Sequence, residues 1–120
     1  KGKKIKINKF GKNYRDFTYI KDAIAMTKKI IYSKTKYNHE IFNICNSKKT
    51  SVMKMIDLIQ KNLKKSFKIE FIEGNNIDNK ITFGSNKKFI SFFGKINFTN
   101  HRKGFNKFIS WYKYFNNIKN

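Results

Sequence analysis

Proline is absent from the 120 residues, cysteine and tryptophan occur once each, and seven acidic side chains face 28 lysines and arginines. The single cysteine, Cys45, excludes an internal disulfide and makes a reducing compartment the expected setting. No apolar run approaches the roughly 20 residues that a membrane-crossing helix needs. Residues 1–9 are basic but lead into no hydrophobic run, so no signal peptide is read there. A cytoplasmic location without a membrane partner is the expectation. None of the six glycines belongs to a GxGxxG or GxxGxxG string, so the loop that cradles a dinucleotide is missing. His39 and His101 are isolated, with no Cys, Asp or Glu at ligand spacing, and no metal site is assigned. The chain also begins without Met and directly in strand-like sequence, which reads as a piece of something longer.

What is abundant is positive charge, +21 in all. Such a field attracts any polyanion in a salt-sensitive manner, and a small basic nucleic-acid-binding module is one reading of it. The competing reading is compositional. Lys, Asn, Ile, Phe and Tyr dominate, as an A+T-rich coding sequence produces, and the lysines are spread along the chain instead of forming one block. The second reading is preferred, which leaves nucleic acid as a non-specific, charge-driven partner.

Periodicity gives an α/β order. Residues 4–8 alternate as a strand, residues 10–13 turn, and residues 15–19 return as a second strand, so a hairpin is predicted at the start. Residues 22–32 form a helix with Ala23, Thr27, Ile30 and Ile31 on one face and Asp22 in the first turn, where a carboxylate complements the helix dipole. Residues 40–44 read as a short strand. Ser51 is placed to cap a helix carrying Val52, Met55, Ile56, Ile59 and Leu63. Residues 68–72 alternate again, and an Asn- and Gly-rich loop covers 73–80. A short helix over 86–93 buries Phe89, Phe92 and Phe93 and stops at Gly94. Thr99 or Asn100 caps the last helix, whose predicted buried stripe is Phe105, Phe108, Ile109 and Tyr112, with Trp111 beside it. Cys45 is expected to be a buried structural thiol.

One stretch is more specific than this vocabulary. Gly11-Lys12-Asn13-Tyr14-Arg15-Asp16-Phe17-Thr18-Tyr19-Ile20 puts one of only two arginines after a glycine turn, where a planar cation could grip a phosphate with two hydrogen bonds. The string resembles the signature of nucleotide-sugar epimerases and dehydratases, the extended branch of the short-chain dehydrogenase/reductase superfamily, and is most similar to that of UDP-glucuronate 4-epimerases. Phe42-Asn43-Ile44-Cys45-Asn46 followed by Ser51-Val52 is similar to the FNIGN…SV segment of that family. Lys68-Ile69-Glu70-Phe71 resembles the strand before its QPGDV loop. Phe92-Phe93-Gly94, Gly104-Phe105 and Trp111-Tyr112 resemble its LLG…GL…WY ending. The order and spacing of these strings, over almost the whole chain, carry the resemblance.

The resemblance implies the C-terminal substrate-binding part of an extended Rossmann-type enzyme. Residues 1–120 would be its nucleotide-sugar-binding region, and the N-terminal dinucleotide-binding domain would lie outside this chain. Arg15 matches the arginine that binds the nucleotide pyrophosphate, Ile5 and Ile7 lie on the strand whose backbone lines the nucleobase, and Phe17 follows on the same wall. Asn75 and Asp78 fall on the loop that reads phosphate and ribose, although Asn76-Ile77 replace its Pro-Gly, where Gly permits a turn that other residues resist. Cys45 replaces the Gly of NIGN, Lys21 replaces the first acidic residue after RDFTYI, and Ser85 stands where an Asp usually begins the short helix.

The implied chemistry uses NAD, which takes a hydride from C4 of a UDP-sugar and returns it to the other face of the ketone. A Tyr base beside a Lys would assist. Tyr32-Ser33-Lys34-Thr35-Lys36 matches YxxxK only formally and lies after the RDFTYI helix instead of before it. No catalytic and no cofactor-binding residue is therefore assigned in this chain, and a non-catalytic truncated remnant is the other alternative. The resemblance also implies a homodimer for the complete enzyme, through helices outside this stretch. The isolated chain is expected to be poorly stable, because the strand at 40–44 should pair with strands of the absent domain.

Overall fold

The computed structural model describes residues 4–34, 36, 39–73 and 79–118. Its elements are β1 (Ile5–Asn8), a 3-10 turn (Lys9–Gly11), β2 (Tyr14–Asp16), α1 (Ile20–Ile31), β3 (Lys49–Ser51), α2 (Val52–Leu63), β4 (Ile69–Ile72), β5 (Ile81–Thr82), α3 (Lys87–Phe93) and α4 (His101–Phe115). They form two compact units, one of residues 1–13, 51–80 and 100–120, the other of residues 14–50 and 81–99.

In the first unit, β1 and β4 run parallel, with Ile5 opposite Ile69 and Ile7 opposite Phe71. Matching apolar side chains across the pair fixes this register, because a slip by one residue would turn each set to the other face. Ile7, Met55 and Ile56 are buried. α2 begins where the Val52 N–H donates to the Asn13 carbonyl (3.0 Å) and ends at Lys64 in the left-handed region. Gln60 Oε1 accepts from the Phe67 N–H (2.7 Å) and so turns the chain toward β4. α4 packs on α2 and is capped by Asn100, whose side chain accepts from the Arg102 N–H (2.9 Å).

The second unit has β2 between β3 and β5, with β2 and β5 parallel. Met26 of α1 and Phe89 of α3 are both 0% exposed. Burying a side chain such as Phe89 stabilises the fold by about 1.5–3 kcal/mol relative to leaving it in water. Around it, Phe42 meets Phe93 (5.0 Å) and Phe92 (5.2 Å) edge to face, an arrangement aromatic quadrupoles favour. Asp22, in the first turn of α1, is buried and accepts two hydrogen bonds from Thr99: Oδ2 from its N–H (2.7 Å), Oδ1 from its hydroxyl (2.8 Å).

The α/β architecture, the four helices and the strand Ile69–Ile72 are found where periodicity places them, and Gly94 ends α3. Five expectations differ. No hairpin joins β1 to β2, which belong to separate sheets; Phe10 (φ 51°) and Gly11 (φ 74°) carry the chain away from β1, and β1 takes the apolar β4 as its neighbour. Residues 40–44 form no ladder strand among the described residues. Phe42 is instead held by the rings of α3, and Asn43 donates from Nδ2 to the Ser85 carbonyl (3.1 Å). Ser51 occupies the N-cap position of α2 without a side-chain cap bond. The stripe of α4 is only partly covered: Phe105 and Ile109 are half-buried, while Phe108 and Tyr112 are exposed. In α1 the covered positions are Asp22 and Met26, and Ile31 is exposed.

Candidate nucleotide-binding site

The residues at 14–18 are the best-organised part of the candidate site. β2 is the middle strand of its sheet, and Arg15 is paired with Thr82 of β5. The Arg15 side chain is half-buried, and Nη1 donates to the Tyr14 carbonyl (2.9 Å). A guanidinium presents five N–H groups in a rigid fork, and this bond orients it along the strand.

Beyond Arg15 the chain is clamped by the segment at 45–47. Asp16 Oδ2 accepts from the Ser47 N–H (2.9 Å), Thr18 Oγ1 accepts from the Asn46 N–H (3.0 Å), and the Phe17 carbonyl accepts from Asn46 Nδ2 (3.4 Å). The clamp is itself anchored to the start of α3. Buried Asn86 donates from its backbone to Ser47 Oγ (2.8 Å) and from Nδ2 to the Cys45 carbonyl (3.0 Å). Ser47 adopts φ 58° to make this turn. Cys45 is half-buried instead of buried, with Sγ 3.6 Å from Ser47 Oγ.

Arg15 and Phe17 therefore lie on one short, tightly held segment of the second unit. Ile5 and Ile7 share β1 in the first unit, with the Ile5 N–H donating to the Lys68 carbonyl (2.9 Å) and the Ile7 side chain buried. Asn75 and Asp78 lie outside the described residues. The clamp residues Asp16, Ser47 and Asn86 were not singled out from sequence. The available signal was the pair of polar clusters in RDFT and CNS, which an apolar-periodicity reading passes over.

Among the described residues no three His, Cys, Asp or Glu side chains are grouped so as to hold a metal ion. No helix of the described residues is long and apolar enough to cross a membrane. The helix starts at Ile20, Val52, Lys87 and His101 bring no glycine-rich turn against their first N–H groups. Among the described residues, none of these helix starts offers the glycine-rich nest that a dinucleotide pyrophosphate takes. Tyr32, of the formal YxxxK string, is 77% exposed at the end of α1.

No protein-family model matches the chain. The architecture is that of a segment of the extended Rossmann-type epimerases and dehydratases, whose solved structures superpose on nearly all of it. A variant of the UDP-glucuronic acid 4-epimerase of Bacillus cereus, solved with UDP-4-deoxy-4-fluoro-glucuronic acid and NAD, matches at TM-score 0.84 and 24% identity, covering 94% of this chain and 36% of that one. The same enzyme with UDP-glucuronic acid and NAD gives TM-score 0.80 at 24% identity, covering 92% and 36%. The dTDP-glucose 4,6-dehydratase of Bacillus anthracis, in complex with NAD, gives 0.77 at 18% identity, covering 93% and 35%. Among curated proteins, an uncharacterized protein of Methanocaldococcus jannaschii is 31% identical over 92% of this chain and 33% of its own length. The chain thus spans about a third of the curated relative it matches.

Proposed function

We propose that residues 1–120 are the C-terminal nucleotide-sugar-binding region of an NAD-dependent nucleotide-sugar epimerase of the UDP-glucuronate 4-epimerase type. Its partner is a UDP-sugar, and NAD and the hydride chemistry belong to a dinucleotide-binding domain outside this stretch. The observation that carries the reading is Arg15. A planar cation sits on the central strand of a sheet, its following residues are pinned by the clamp at 45–47, and the surrounding string matches the family signature. Held in this way, the fork meets two phosphate oxygens with little further loss of side-chain entropy. Phe17 supplies an apolar wall beside it. Ile5, Ile7, Asn75 and Asp78 enter the proposal through the resemblance alone.

The test is calorimetric titration of UDP-glucuronate into the complete enzyme and its Arg15→Ala variant. The loss of a charge-assisted hydrogen-bonding group should weaken binding by about 1.5–3 kcal/mol. Arg15→Lys should recover only part, because an ammonium lacks the two-pronged geometry. Unchanged affinity in Arg15→Ala would remove the assigned role.

A further inference from the structure

The hydrogen bond from the Ser47 N–H to Asp16 Oδ2 (2.9 Å) is made at a local cost on both sides. Ser47 holds φ 58°, in the left-handed region that a residue with a Cβ resists. Asp16 keeps Oδ1 enclosed without a donor among the described residues, and an enclosed oxygen without a hydrogen bond opposes folding. Local strain of this kind persists only where the surroundings hold it, and it gathers at ligand-gripping sites. Here the surroundings do hold it. Ser47 Oγ accepts from the N–H of buried Asn86 (2.8 Å), and Asn86 Nδ2 donates to the Cys45 carbonyl (3.0 Å). The residue next to Arg15 is thereby tied to the start of α3.

We infer that Asp16 and Ser47 are positioning residues for Arg15, an inference that rests on the reading of Arg15 as the pyrophosphate-binding group. Neither side chain touches the ligand; both act through the strand that carries the guanidinium. A fork meets two phosphate oxygens only when its backbone is held to a fraction of an ångström. The ladder alone gives little of that hold. β2 spans only Tyr14–Asp16, and its pairing with β5 ends at Arg15 opposite Thr82. From Asp16 onward, support on the β5 side gives way to side-chain bonds, Asp16 to Ser47 and Thr18 to Asn46. Asp16 lies nearest Arg15, and Ser47 passes the hold on to a second element. A turn required by the fold alone would be met by Gly, which adopts φ 58° freely. Ser adds the hydroxyl that reaches Asn86.

The complete enzyme is titrated with UDP by calorimetry, UDP being the part of the substrate assigned to Arg15. Asp16→Ala should weaken UDP binding about fivefold, and Asp16→Asn, whose amide oxygen still accepts from the Ser47 N–H, less than about twofold. In an Arg15→Ala background Asp16→Ala should have no further effect, because a positioning residue loses its role with the group it positions. Ser47→Gly keeps the N–H, removes the strain and loses the tie to Asn86. It should weaken UDP binding about threefold while the thermal midpoint does not fall, and it serves where Asp16→Ala does not fold. Asp22→Ala, which loses the bonds to Thr99 in the same unit, should bind UDP as the wild type does. Affinity unchanged in Asp16→Ala and Ser47→Gly but lost in Arg15→Ala would overturn the positioning role and leave the Arg15 reading standing. An Asp16→Ala loss that is the same with and without Arg15 would make Asp16 an independent contact, and an equal loss in Asp22→Ala would make it a general support; either overturns the inference. Unchanged affinity in Arg15→Ala itself removes the Arg15 reading and this inference with it.

Discussion

At Gly11 the backbone has φ +74°, and a Cβ there would lie 2.8 Å from Met53 Cγ, 2.9 Å from Met53 Sδ and 3.3 Å from Phe71 Cε1. Both effects oppose any other residue. Gly11→Ala should lower the unfolding free energy by about 1–3 kcal/mol, measured by urea denaturation. Adding Met53→Ala should relieve the crowding but leave the backbone strain, so the double variant should show less than the sum of the two losses. Position 45 shows a related fit. The family string has Gly there, and here the Cys45 Sγ fills space that a Cβ at Gly84 would enter, at 2.8 Å. The turn at Gly11 was legible because glycine before a strand is a local signal. Met53 and Cys45 as the opposing atoms were not, since a steric partner 42 or 39 positions away leaves no trace in local spacing.

Among the elements, the helices were legible and the strand partners were not. A helix satisfies its own backbone, so its pattern is complete within a dozen residues. A strand is defined by a neighbour elsewhere in the chain, which is why 40–44 looks like a strand and makes no ladder, while two-residue β5 has no pattern at all. Asp22 shows the same limit. Its place in the first turn of α1 was readable, but its bonds to Thr99, 77 residues away, were not. Those bonds join α1 to the segment just before α4 without using any apolar surface. Asp22→Ala should cost about 1–3 kcal/mol by leaving the Thr99 N–H without its acceptor. Asp22→Asn should cost much less, because an amide can accept from that N–H and donate to the hydroxyl. A thermal melt of both variants separates these outcomes, and equal losses would argue against a hydrogen-bonding role. The candidate site divides along the same line: Arg15 stood out in the sequence, whereas the clamp that orients its strand depends on contacts from 45–47 and 86.

On the scale of the molecule, charge dominates. Of the seven acidic residues, Asp16 and Asp22 are engaged by backbone N–H groups, and Glu40 and Glu70 pair with Lys88 and Lys4. The remaining cations repel one another, and folding brings them closer than they are in the open chain. Raising sodium chloride from about 20 mM to about 300 mM shortens the screening length from about 20 Å to about 6 Å and should raise the thermal midpoint. A midpoint that falls or stays flat would show that self-repulsion is not a term in the stability.

The interleaving of the two units sets an order of events during synthesis. The chain passes from one unit to the other at residues 13–14, 50–51, 80–81 and 99–100. Everything the second unit needs has left the ribosome once Thr99 emerges, whereas the first unit waits for residues 100–120, the segment that supplies α4. Until then β1, α2 and β4 lack the helix that packs on α2, and their apolar surface stays open for the whole interval. A nascent chain arrested before Asn100 should accordingly protect Phe89 from solvent while leaving Met55 and Ile56 accessible.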